Sequence, residues 1–103
     1  MSKVKVTLDT GKEIILRPLD IRTQRMAVQA ASRAGGGDPI LTQYLTQEEI
    51  FKQLLCEVDG KAPTEAQKET LDDLFTVGEY AQAIMALDEM VGKVGKPKLE
   101  AIS

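Results

Sequence analysis

The chain has 103 residues, of which 43% are hydrophobic, 28% charged and 4% aromatic, with a formal net charge of −3. That length suits one domain able to bury about 60–70% of the surface its unfolded chain exposes. Histidine, asparagine and tryptophan are absent, serine stands only at Ser2, Ser32 and Ser103, and Cys56 is the only cysteine; this excludes Ser-His-Asp and Cys-His-Asn nucleophiles, His- or Cys-rich zinc sites and an intramolecular disulfide.

The first segment alternates with period two: Val4, Val6 and Leu8 face one way, Lys3, Lys5 and Thr7 the other. Asp9-Thr10-Gly11 supplies turn chemistry, and Ile14 and Leu16 share a face of the run from Lys12 to Arg17. The pattern predicts a β-hairpin ended by Pro18, which lacks a ladder donor. A lone two-stranded ribbon is marginal in water, so its apolar face must lie on helices or on a partner.

Asp20 is an N-cap for a helix from Ile21 to Ala34, with Met26, Ala27, Ala30, Ala31 and Ala34 as a stripe of mostly small side chains. Gly35-Gly36-Gly37 stops it and forms a hinge. Asp38 and Pro39 open a short segment carrying Ile40, Leu41, Tyr44 and Leu45. Three sequences fit the capping-box rule: Thr46 with Glu49, Thr64 with Gln67 and Thr76 with Glu79. They predict a helix with Ile50, Phe51, Leu54, Leu55 and Val58 on one stripe and Cys56 at its edge, a second carrying Leu71, Leu74 and Phe75, and a third with a broad apolar surface from Val77 to Val91. Asp59-Gly60 reads as a turn. The expected fold is α+β, an N-terminal hairpin packed on about four helical segments in one domain over 1–91, with a flexible tail over 92–103.

Charge is polarised along the chain. Residues 1–34 carry +4, residues 35–61 −3, residues 62–91 −6 and the remainder +2. Such an arrangement orients association with partners or with copies of the same chain. No apolar run is long enough to span a membrane, no stretch reads as a signal peptide, and a single cysteine on an apolar face suits a reducing compartment.

No constellation of catalytic, cofactor-binding or metal-binding residues emerges. The adjacent carboxylates Glu48-Glu49, Asp72-Asp73 and Asp88-Glu89 diverge by about 100° on a helix, whereas acid/base work needs convergence across a cleft. Gly11-Lys12 lacks both the earlier glycine of a phosphate loop and the following hydroxyl residue, since Glu13 stands there. Arg17, Arg22, Arg25 and Arg33 with Lys3, Lys5 and Lys12 offer phosphate contacts, but an isoelectric point near 4.9 argues against nucleic acid. Cys56 has no activating neighbour and reads as a small core hydrophobe. The surplus apolar residues of the last helix stand out, and Tyr80, Met85, Leu87 and Met90 are the candidate partner-binding residues.

The run from Val6 to Asp20, with Leu8, the Asp9-Thr10-Gly11-Lys12 turn and Arg17-Pro18-Leu19 before a helix, resembles the opening of tailed-bacteriophage tail assembly chaperones. Val58-Asp59-Gly60-Lys61 and Leu71-Asp72-Asp73-Leu74-Phe75 followed by Glu79-Tyr80 are similar to the segments before the last helix of that family. The resemblance implies a non-enzymatic protein of the host bacterial cytoplasm that binds the tape-measure protein through apolar helix surfaces, keeps it soluble and helps recruit the tail-tube protein. Two other readings predict different behaviour: a permanent baseplate or tail component found in the virion, and a small nucleic-acid-binding regulator with salt-dependent retention on DNA.

Overall fold

In the computed structural model, residues 3–92 are described; Met1, Ser2 and residues 93–103, where the sequence predicts most of the flexible tail, lie outside them. The order of elements is β1 (Val4–Thr7), β2 (Glu13–Leu16), α1 (Ile21–Gly35), α2 (Pro39–Leu54), β3 (Leu55–Val58), α3 (Glu65–Thr70) and α4 (Val77–Gly92). The fold is α+β, with the expected hairpin formed by β1 and β2 pairing antiparallel from Val4 opposite Leu16 to Thr7 opposite Glu13. Period-two alternation places Leu8, Ile14 and Leu16 in the core, while Lys5 and Glu13 form an ion pair at 3.1 Å on the outer face.

The sheet has a third strand that the sequence does not predict. Antiparallel β3 adds to β2, with an irregularity at Ile15–Leu16, and makes β2 central. The expected single helix through Val58 therefore ends at Leu54: Leu55 remains in the core, but Cys56, Glu57 and Val58 belong to a strand. Asp59 fixes the pairing by donating its N–H to the Glu13 carbonyl and accepting the Glu13 N–H on its side chain, at 2.8 and 2.9 Å. Asp59 and Gly60 both have positive φ, 50° and 83°, in the tight turn closed by reciprocal Val58–Lys61 hydrogen bonds.

Helix α1 begins where Asp20 accepts the Thr23 N–H at 2.7 Å and ends at Gly36, which takes the left-handed conformation. Its buried stripe is Thr23, Ala27, Ala31 and Gly35, so Met26, Ala30 and Ala34 are exposed, contrary to expectation. A Cβ at Gly35 would lie 3.2 Å from the Thr42 Cα and overlap the Thr42 side chain, which shows how closely α1 approaches α2. The two helical segments expected over 39–45 and from 46 onward are one continuous helix, α2. Thr46 does not cap it; its hydroxyl donates to the Thr42 carbonyl at 2.7 Å, as threonine does inside a helix.

The other two capping boxes form with both reciprocal hydrogen bonds, Thr64 with Gln67 and Thr76 with Glu79. Helix α3 is shorter than its pattern predicts. It ends at Thr70, and Leu71, Leu74 and Phe75 belong to the turn that follows rather than to the helix. Phe51 is fully buried at the centre of the core, packed edge-on against Phe75 and Tyr80 at ring separations of 5.5 and 5.7 Å, with Leu54, Leu55, Ala83 and Leu87 around it. No residue of α1 belongs to this core cluster.

Candidate partner-binding site

Helix α4 holds all four residues singled out from the sequence but does not present them together. Leu87 is only 2% exposed and is part of the core, and Tyr80 and Met90 are partly buried against it. Met85 is 71% exposed and lies about 140° round the helix from Tyr80. Leu87 is thus a core residue of the free chain, and Met85 stands apart from the other three. The broad apolar surface of α4 arises because the helix turns one face to the core, lines two grooves through Val77, Tyr80, Leu87 and Val91, and leaves Met85 outside both.

Those grooves supply the more extensive candidate site. One of about 630 Å³ lies between α2 and the C-terminal half of α4, with Leu19 at its end and Ile40, Tyr44, Ile50, Leu87 and Val91 along its walls. A second, of about 310 Å³, is lined by Leu71, Phe75, Val77 and Tyr80 and shares Tyr44 with the first. Ile40, Tyr44 and Val77 are 80%, 56% and 88% exposed, which makes this shared face apolar and open to water. Glu48, Asp72 and Asp88 are the ionised side chains of its walls, and no Lys or Arg lines either groove. Glu48 is paired with Lys52 at 3.3 Å, Asp88 accepts from the Gln47 amide at 2.9 Å, and Asp72 has no cation within salt-bridge distance among the described residues. Burial first, then the Glu48 charge, holds the Tyr80 hydroxyl above the usual tyrosine range.

Ile40 and Tyr44 escaped selection as site residues because the predicted boundary at Thr46 cut their helix in two. On the continuous α2, Ile40, Gln43, Tyr44 and Gln47 follow i, i+3, i+4, i+7 spacing and share one face.

The charged residues elsewhere hold elements in place. Glu79 accepts from the Thr10 hydroxyl at 2.6 Å, the Thr76 N–H at 2.9 Å and the Lys12 ammonium at 3.2 Å. Lys12 also donates to the Leu74 carbonyl and sits 5.2 Å from the Phe75 ring centroid. These contacts bind the hairpin turn to the start of α4, and the hydroxyl of Thr10 above all holds the Glu79 carboxyl at about 2. Arg17 donates to the Gln53 carbonyl and to the Thr23 hydroxyl, both at 3.1 Å, and reaches Asp20 at 3.7 Å. The Gly11-Lys12 and Arg17-Pro18-Leu19-Asp20 segments that carry the resemblance therefore join the sheet to its helices. Cys56 is half-buried on β3, its thiol 3.5 Å from the Leu54 carbonyl. Among the described residues no group of three or more His, Cys, Asp or Glu side chains is placed to hold a metal ion, and no helix is long and apolar enough to cross a membrane.

No family model, curated protein or solved structure matches the chain.

Proposed function

We propose that this protein is a tail assembly chaperone of a tailed bacteriophage, a non-enzymatic holder that binds the tape-measure protein in the host cytoplasm and assists assembly of the tail tube. The observation that carries the reading is the open apolar face of α2 and α4, where Ile40, Tyr44 and Val77 are largely exposed beside a well-packed core. A holder of an aggregation-prone chain needs apolar surface that its own fold leaves uncovered. The resemblance over residues 6–20 and 58–80 supplies the phage assignment and the names of the two partners.

Coexpression with the tape-measure protein encoded by the same genome tests the role. The tape-measure protein is expected in the soluble fraction when the wild-type chain is present, and in the pellet when it is absent or carries Ile40→Glu with Tyr44→Glu. Unchanged tape-measure solubility without the chain overturns the chaperone reading. Mass spectrometry of purified virions separates a chaperone, which is absent from them, from a permanent baseplate or tail component, which is present at fixed copy number.

A further inference from the structure

We infer that the joined grooves between α2 and α4 are a docking site for an amphipathic helix of a partner protein, one that carries Lys or Arg beside its apolar stripe. The inference rests on the reading of the chain as a holder of a partner protein and adds the chemistry of the segment held. The groove walls offer Ile40, Tyr44 and Val77 with much of their surface in water, a state that a second apolar surface relieves. From Val77 to Val91 the wall formed by α4 runs about 21 Å, which matches about four turns of helix. A strand is a poorer occupant, because neither wall is a sheet edge with free backbone groups to pair.

Charge selects among helices. The walls carry Glu48, Asp72 and Asp88 without any Lys or Arg, and Asp72 and Asp88 have no cation within salt-bridge distance among the described residues. An acidic helix would bring carboxylates against carboxylates, whereas a basic one gains both attraction and faster encounter. The two carboxylates sit at opposite ends of the face, Asp72 before α4 and Asp88 in its last turns. The preferred segment accordingly has basic residues flanking a central apolar stripe.

Two synthetic peptides of about 18 residues test this, each with Leu at i, i+3, i+4 and i+7 and either Lys or Glu elsewhere. They are titrated into the full-length isotope-labelled chain and followed by amide chemical shifts. The Lys peptide is expected to bind at least about tenfold more tightly than the Glu peptide and to weaken as salt rises from about 0.05 to about 0.5 M. Shifts are expected at Ile40, Tyr44, Val77 and Asp88. Tyr44→Ala and Asp88→Lys, both at exposed positions, should each weaken binding about tenfold, with shifts elsewhere in the fold unmoved. Glu65→Lys, in a polar cleft on α3, should bind as the wild type does. Equal binding of both peptides, or equal weakening by Glu65→Lys, overturns the inference. So does evidence for another occupant: concentration-dependent shifts of this face without peptide, pointing to a second copy, or tighter peptide binding after removal of residues 93–103, pointing to the chain itself. Peptide binding and tape-measure solubility fail separately, so a holder that uses another surface is distinguishable from a chain that holds nothing.

Discussion

Glu79 is buried and still charged because donors from three directions converge on it: the Thr10 hydroxyl, the Thr76 N–H and the Lys12 ammonium. Hydrogen bonds to the ionised form hold its carboxyl at about 2, below the ordinary glutamate value of 4.5. The sign follows from linkage: the unfolded chain binds the proton more readily, so this group's contribution is present above about pH 5 and is lost as pH falls through 4.5 towards 2. Urea unfolding of wild type and Glu79→Gln at matched pH should show the variant losing less stability between pH 5 and pH 3. Identical pH slopes would mean that Glu79 titrates alike in the folded and unfolded chains. Leu71 is the opposite kind of residue, apolar in a backbone conformation that favours glycine. It has φ of 63° at the end of α3 yet is only 6% exposed, so core burial outweighs a local strain of about 1 kcal/mol or more.

Helix starts depend on context beyond the four residues that define a capping box. Thr64 lies at a true start and its side chain accepts the Gln67 N–H, so Thr64→Ala should cost about 1 kcal/mol and lower Tm by roughly 4–8 °C. Thr46→Ala should change stability by less than about 0.5 kcal/mol, because Thr46 sits inside α2 and caps nothing. Equal losses by thermal unfolding would show that both threonines act as caps. The same contrast explains what could be read from the sequence. The caps at Asp20, Asp38, Thr64 and Thr76 and the β1–β2 hairpin depend on near neighbours, and the local pattern contains them. Strand β3 pairs with β2 about 40 residues earlier in the chain, and its Leu-Cys-Glu-Val sequence continues the apolar spacing of the helix before it. Nothing local says that the helix stops at Leu54. The site was legible in part for the same reason: excess apolar residues on α4 were visible, but their separation into core and surface depends on where α2 and the sheet pack.

At the scale of the molecule, stability and exposure are unevenly distributed. The core joins the sheet to α2 and α4, whereas α1 lies on α2 through Thr23, Ala27, Ala31 and Gly35, which bury little apolar area. At its start α1 is tied to the sheet by Arg17, whose guanidinium reaches Thr23 and Asp20. Opening this arm exposes far less apolar surface than unfolding the core, and regions with few buried apolar contacts open at lower free energy than the whole. Native-state hydrogen exchange should therefore show the amides of residues 24–35 exchanging through a local opening at least about 2 kcal/mol below the global unfolding that governs Ile14, Phe51 and Leu54. Low denaturant should leave exchange in α1 nearly unchanged while accelerating it in the core, because the small opening exposes little surface. Equal protection and equal denaturant sensitivity would show that α1 and the core unfold as one unit. Gln24 of α1 and Ile40 of α2 line the larger groove together, so an arm that opens alone also changes the width of the proposed docking site. A bound helix touching both elements should then slow exchange in α1 by up to the same factor as in the core, since opening the arm breaks its contacts as global unfolding does.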